Sequence, residues 1–386
     1  MNPESFKSST GGSVRRVGSG DSGYWAFIPH PLPPELKIDF KFMQQLSEAD
    51  RALGELAGIG RAMANPRLFV RPFISREAVL SSRIEGTQAD LHDLFAYTAE
   101  GRPKADGAKH ADVLEVYNYV RAMDYGVKRL ESFPVSLRLI RELHEHLMKG
   151  VRGGQATPGE FRRSQNWIGP PGCTLNDAVF VPPPVDEMNA TLDAFEKYLH
   201  ETNSYPPLVR LALIHHQFES IHPFLDGNGR IGRLLMSLLL VHWGLLPYPL
   251  LYLSAFFERN RISYYDLLLG VNQNGAWSAW ISFFLQGVAE QSKDAIERAK
   301  HLQDLQSQWR EMFQKSNQSA LLLGVIDLLF MQPLVTAVRV RDKFKVTHPT
   351  AMSALRRLVK EGILTEPEKK GRNRWFIAQQ ILRIAE

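Results

Sequence analysis

Through most of this chain apolar residues recur three or four positions apart, the spacing of one helical face, while period-two alternation is confined to a few short stretches. Leu46, Leu53, Leu56 and Ile59 predict a helix from about 42 to 64. It stops at Asn65-Pro66, because the residue before a proline is driven out of helical backbone. Helices are expected next across FISREAVLSSRIEGTQADLHDLF, over 110–130, and over 134–149, where Leu139, Leu143 and Leu147 share a face and Gly150 closes the end. After a helix at 186–200, the run PPLVRLALIHHQFESI is apolar on most faces, and so is LLMSLLLVHW from Leu234; both predict buried helices. Two aromatic-rich helices follow from Ser254. A run of Lys, Glu and Gln from Ala289 then predicts a separate connecting helix at 291–316. The fold class is mainly α.

The interruptions divide the chain. Residues 1–23, rich in Ser and Gly, offer little to bury and are expected to be disordered. Prolines crowd 24–39, which should lie extended over the surface, and 99–109 is a polar loop. Between the helices at 134–149 and 186–200 the prolines and glycines exclude helix, and 173–181 fits a short two-stranded hairpin around Asn176-Asp177. A loop of about thirty residues inside a compact domain favours a functional role.

Composition narrows the class without choosing the function. With 386 residues, 44% hydrophobic and 23% charged, the chain is an ordinary globular protein long enough for two domains. The single cysteine, Cys173, excludes an internal disulfide and a cysteine-rich metal site, so a reducing compartment is expected. No leader pattern and no run of about eighteen apolar residues occurs, so the expectation is a cytoplasmic protein with no membrane partner.

The chemistry concentrates in residues 222–233, HPFLDGNGRIGR. A glycine-rich turn feeding a helix presents unpaired N–H groups and the positive end of the helix dipole, a recipe for holding phosphate. Arg230 and Arg233, three apart, are expected to project from one side and grip different oxygens of one polyphosphate. Asp226 is a hard oxygen ligand suited to Mg²⁺, and His222 is the one group here that takes a proton near neutral pH. Phe224 reads as packing. Two other readings compete. Gly227 to Gly232 spell G-x-G-x-x-G, but that dinucleotide pattern needs a preceding strand, and a helix precedes it here. His215 and Glu219, one helical turn apart with His222 beyond, could hold zinc, although neither H-E-x-x-H nor a Cys/His cluster is present.

The segment resembles the Fic family signature, H-x-F-x-[DE]-G-N-G-R-x-x-R, at every fixed position. The resemblance implies a helical enzyme that moves a nucleotide, usually AMP from ATP, onto a hydroxyl of a target protein, itself included. It also implies that ATP phosphates lie along Gly227, Asn228, Gly229, Arg230, Ile231, Gly232 and Arg233. Ser81 and Glu85, followed by Gly86, resemble the family's inhibitory motif [ST]-x-x-x-E-[GN], whose glutamate pairs with the final arginine, here Arg233. Asn260, in an Asn-Arg pair before Tyr264 and Tyr265, resembles the asparagine that contacts adenine. The loop before 186 corresponds to a β-hairpin flap that holds an extended target strand, with 158–162 and 180–184 typical of the family. The resemblance covers about 24–290: an N-terminal region with the inhibitory helix at 24–109 and a catalytic core at 110–290. Removal of AMP by the same site is an alternative activity, and a homodimer an alternative partner.

Residues 317–386 change character, with 12 Lys and Arg against 6 Asp and Glu, whereas the remaining chain has 34 against 35. LLLGVIDLLF, TAVRVRDKF, a helix opened by Pro349 and closed by Gly362, and a hairpin around KKGRN resemble a winged helix. Ser353, Arg356, Arg357 and Lys360 fall on the open face of its third helix. That suits DNA phosphates, so a DNA-binding regulator with the core as nucleotide sensor is the alternative function.

Overall fold

The computed structural model describes residues 1–20, 23–63, 65–100, 108–151, 157–201, 205–314, 320–366 and 374–386. The N-terminal segment is folded, which corrects the expectation of disorder over 1–23. β1 (Gly12–Val17) pairs antiparallel with β2 (Tyr24–Pro29), Val14 opposite Phe27. Met1 and Phe6 are buried, with Phe6 centred 5.5 Å from Phe27 and 6.3 Å from Phe180, and the Met1 amino group donates to Asn176 O at 2.7 Å. Two apolar anchors suffice to fold a segment whose average composition is polar. Residues 24–29 form a strand because the prolines begin only at its last position.

α1 (Phe40–Ala62) starts where the Asp39 carboxylate accepts from Phe42 N at 2.7 Å, a side-chain N-cap. α2 (Pro66–Ile84) and α3 (Leu91–Glu100) complete this region. Most of the polar loop expected at 99–109, residues 101–107, lies outside the described residues. α4 (Ala108–Arg129) packs on α5 (Leu137–Leu147), which is capped by Ser136. Beyond it the loop closes through a single antiparallel bridge, Ile168 to Phe180, rather than a hairpin within 173–181: Ile168 N donates to Phe180 O at 2.8 Å.

α6 (Val185–His200) leads to α7 (Pro207–Ile221) and α8 (Asn228–His242) at the centre of the molecule. Every residue from Leu208 to Phe218 and from Arg230 to Leu240 is buried, so neither helix has a face to give to water, and they pack on each other. α9 (Ser254–Arg259) and α10 (Arg261–Asn274) cover one end. The connecting helix expected at 291–316 is not a separate element. It is the continuation of α11 (Trp277–Gln314), whose first turns already carry core residues Trp280, Ile281, Phe284 and Leu285. α11 runs along α1.

The C-terminal part comprises α12 (Ala320–Met331), β3 (Leu334–Thr336), α13 (Ala337–Phe344), α14 (His348–Lys360), β4 (Trp375–Ile377) and α15 (Gln379–Ala385). β4 pairs antiparallel with β3 and bridges through Ile377 to Thr365. The turn around KKGRN lies largely outside the described residues. One apolar cluster runs unbroken from Phe42 to Ala385, so this part shares its core with the rest. No helix among the described residues is long and apolar enough to cross a membrane.

Candidate active site

α7 ends on His222, whose φ of 48° and ψ of 59° are left-handed, a conformation rare outside glycine and costing of order 1–3 kcal/mol. Three hydrogen bonds hold it there. His222 N donates to Phe218 O at 3.0 Å, and His222 O accepts from Arg162 Nε at 3.0 Å and Asn166 Nδ2 at 3.1 Å. Inside the turn, Asn228 Oδ1 accepts from Phe224 N at 2.9 Å and its Nδ2 donates to Phe224 O at 2.8 Å. The Asn228 side chain therefore shapes the loop, and its backbone N–H is the group left open. Phe224 is fully buried and stacks on His144 with ring centres 3.8 Å apart, as its reading as packing requires. His144 Nδ1 accepts from Gly159 N at 2.9 Å, which puts its proton on Nε2, 3.0 Å from Asp226 O. Burial pushes its pKa down to about 4, so it is a neutral prop.

Gly227, with φ 81°, turns the chain into α8. The first intrahelical bond is Ile231 N to Gly227 O at 3.0 Å, which leaves the N–H groups of Asn228, Gly229 and Arg230 without a carbonyl in the helix, an anion cradle. Ile231 and Gly232 lie past these open groups, inside the first helical turn. The Ile231 N–H is used in the helix, its side chain is fully buried, and a Cβ on Gly232 would strike the Glu219 carboxyl. A Cβ on Gly229 would strike Glu85 and come within 2.9 Å of Arg233 Nη1, so glycine there permits a close approach.

The two arginines diverge, which corrects the expectation that they project from one side. Arg230 turns into the core, donating to Glu115 on α4 at 2.8 Å and reaching Asp226 Oδ1 at 3.4 Å, with 3% of its side chain exposed. Arg233 points to α2. Its Nε donates to Ser81 Oγ at 2.9 Å, and its Nη2 donates to Ser81 O at 2.9 Å and to Glu85 Oε1 at 2.6 Å. Glu85 ends α2, and Gly86, with φ 103°, reverses the chain beyond it. Ser81 and Glu85 thus meet Arg233 across 148–152 residues of sequence.

Burial opposes the charge on both members of this pair, yet each overrides it for the other: Arg233 holds Glu85 below the usual carboxylate range, and Glu85 holds Arg233 above the usual guanidinium range. Burial, assisted by Arg162, pushes His222 down to about 4. Its Nδ1 lies 3.3 Å from Glu219 O, which places the proton there and leaves Nε2 as the acceptor. Glu219 is pushed up to about 8, chiefly by burial, and Glu77, buried between α2, α4 and α9, to about 7. Asp226 accepts from Gly227 N at 2.6 Å through one oxygen, while the side chain stays 55% exposed and offers the other. Asn260 joins α9 to α10, and its Nδ2 donates to Phe256 O at 2.9 Å. His215 Nε2 bonds Tyr264 OH at 2.8 Å and His216 lies against Trp277; both are pushed to about 3 by burial, as neutral core histidines.

Sequence reasoning missed the supports Arg162, Asn166 and His144. Arg162 is 1% exposed and also donates to Pro183 O at 2.5 Å, tying the 158–162 and 180–184 pieces together. Those pieces had stood out as a motif, which was the available signal. Asn166 offered none.

These features define a class: a helical protein in which a glycine-rich turn beside a histidine opens a helix with unpaired N–H groups, and a carboxylate from a distant helix holds an arginine of that helix. The chain belongs to the Fic/DOC family, whose N-terminal model matches residues 43–128 and whose main model matches residues 134–240. Among curated relatives, "Protein adenylyltransferase Fic" of Drosophila grimshawi is 29% identical over 237 residues, 60% of this chain. That of Aedes aegypti is 30% identical over 246 residues, 61% of this chain. Each match spans 44% of the relative's length. A Fic family protein from Desulfovibrio desulfuricans shares the fold with a TM-score of 0.57 at 19% identity, covering 90% of this chain and 98% of that one. A Fic domain containing signaling protein from Bacteroides thetaiotaomicron does so at 0.53 and 19%, over 66% of this chain and 97% of that one.

Proposed function

We propose that this protein transfers AMP from ATP to a hydroxyl side chain of a protein, itself included, and that Glu85 restrains the reaction. The observation that carries the reading is the placement of His222 Nε2, free to accept, one turn before a helix N-terminus with three open N–H groups. ATP phosphates lie against the N–H groups of Asn228, Gly229 and Arg230, and Arg233 takes the terminal phosphate once Glu85 withdraws. The outward oxygen of Asp226 fits a hard cation. Bound there, Mg²⁺ would neutralise phosphate charge. The target oxygen attacks the α-phosphorus, its proton passes to His222 Nε2, and the bond to the β-phosphate breaks with pyrophosphate leaving. Asn260, with its Oδ1 uncommitted to the α9 bond, serves the adenine. Beside the cradle, Trp167, Ile168 and Val179 are exposed along the loop closed by the Ile168–Phe180 bridge, which suits an extended target segment. The test is intact mass after incubation with ATP and Mg²⁺. A gain of one AMP in the wild type, lost in His222→Ala while nucleotide binding persists, is the expected result. A variant that modifies itself at the wild-type rate would exclude His222 as base.

A second reading concerns 317–386, which we take as a winged helix. Ser353, Arg356, Arg357 and Lys360 are all exposed on α14, while Ala351, Ala354, Leu355 and Leu358 are buried. Such a face suits duplex DNA. Binding should weaken steeply with salt and lose about two units of log–log slope in Arg356→Ala/Arg357→Ala. No affinity for duplex DNA at low salt would make this face a protein contact.

A further inference from the structure

A large cavity among the described residues lies away from the signature loop. It measures about 1020 Å³, and no residue of 222–233 lines it. Four parts of the chain meet there: the first half of α2 at Val70, Arg71, Ile74 and Ser75; α3 and α4; the segment after α8 at Tyr248 and Pro249; and the C-terminal part through Leu328, Arg339 and Lys343. Its wall is aromatic. Phe95, Tyr97, Tyr117 and Tyr248 contribute, with the Tyr97 and Tyr117 rings centred 5.1 Å apart. Its charges are unbalanced. Arg71 pairs with Asp124 at 2.5 Å, whereas Lys128, Arg339 and Lys343 have no ion pair among the described residues, against a single further carboxylate, Glu131. Arg339 and Lys343 stand one turn apart on α13, both exposed, so their charges fall on the same side. The volume is that of a site for a small organic molecule.

We propose that this cavity binds a planar aromatic anion, its ring system against the tyrosines and its acidic group toward Arg339 and Lys343. Aromatic faces favour flat partners over aliphatic ones, and the surplus cations favour carboxylate, sulfonate or phosphate. The site bears on the catalytic centre, an inference that rests on the proposed role of Glu85. The lining residues of α2 straddle Pro72, where the helix lacks one N–H, and the same helix runs on to Ser81 and Glu85. The cavity is present with Glu85 on Arg233; a ligand that binds this arrangement better than one with α2 released stabilises it and slows transfer.

The probe is 8-anilinonaphthalene-1-sulfonate, titrated by fluorescence into the full chain. Saturable one-site binding is expected, weakened about tenfold in Arg339→Glu/Lys343→Glu through loss of two attractions, and weakened in Thr98→Trp, which narrows the cavity. Circular dichroism checks the fold of both variants. If Thr98→Trp fails to fold, the double variant at exposed positions decides alone. Undiminished dye binding in folded variants, or no saturable binding in the wild type, overturns the proposal. Binding is read without turnover, so it stands or falls separately from the transfer reaction. Where transfer is observed, saturating dye should slow wild-type self-modification at least threefold and leave Glu85→Gly unchanged; equal slowing of both would place the dye elsewhere.

Discussion

Replacing Glu85 by glycine isolates the one anionic contact by which, on the proposed reading, α2 competes with substrate phosphate. Arg233 is held by three hydrogen bonds to α2 and its C-cap, and only one, Nη2 to Glu85 at 2.6 Å, has an anionic acceptor. The two bonds to Ser81 survive the substitution, so the guanidinium stays aimed while its anion is removed. A hydrogen bond between charged groups is worth about 1.5–3 kcal/mol, and Glu85 is about a third exposed, which argues for the lower figure. Around 1.5 kcal/mol corresponds to roughly tenfold in occupancy of Arg233 by phosphate. Correct seating of the phosphates adds to this in rate, since misplacement near 1 Å costs on the order of a hundredfold. Self-modification followed by intact mass should therefore accelerate at least tenfold in Glu85→Gly. Glu85→Gly/Arg233→Ala should be inactive. Equal rates for wild type and Glu85→Gly at saturating ATP and Mg²⁺ would refute the inhibitory role and leave the His222 chemistry untouched.

Two further expectations follow from the buried ionisable groups. With His222 at about 4, the imidazole is already neutral, and able to accept a proton, throughout pH 5.5–8. The rate–pH profile of Glu85→Gly should show its acid limb below 5.5, and an inflection at 6.5 would contradict the buried geometry. Glu77 accepts from Ser254 Oγ and, at 3.2 Å, from Tyr119 OH, and its folded pKa is raised to about 7 from 4.5. Between those values the folded state binds one proton more than the unfolded state. Stability is therefore full below about pH 4.5 and falls as pH rises toward 7, by up to about 3 kcal/mol. Glu77→Gln should flatten this dependence and raise the melting temperature at pH 8; an unchanged slope in chemical denaturation would show that Glu77 is charged in the fold.

What the sequence displayed was whatever depended on neighbours in sequence. The cradle was legible because one contiguous segment, 222–233, supplies the histidine, the turn and the helix start, and α7 and α8 were legible because apolar residues cover every face. What escaped depended on distant partners. Arg162 and Asn166 reach His222 across 60 and 56 residues, and neither periodicity nor composition records such a contact. The N-terminal strand escaped because Met1 and Phe6 acquire their value only against Phe180 and the loop around Asn176. The arginines were misjudged for a geometric reason. Residues three apart on a helix differ by about 60° in direction, which leaves them neighbours on a solvent face. On α8, buried all round, the same 60° sends Arg230 into α4 and Arg233 into α2.

α2 joins the catalytic centre to the C-terminal part. Glu77, Ser81 and Glu85 follow one another at four-residue intervals, so one stripe of the helix carries three polar groups into an otherwise apolar core. Their partners lie on three elements: Glu77 is satisfied by α4 and α9, Ser81 and Glu85 by α8. The helix is also fastened outside the catalytic core. Phe69 meets Phe330 of α12 edge-on at 5.9 Å, and Arg76 pairs with Asp294 of α11 at 3.2 Å while donating to the Glu386 carbonyl. A helix satisfied at so many points does not slide by small steps, because each displacement breaks a buried polar contact before another can form. Glu85 therefore leaves Arg233 either by a change of its own rotamer or by release of the whole helix. Only the second route involves the C-terminal part, and its contacts with α2 are the physical basis on which that part could govern the reaction.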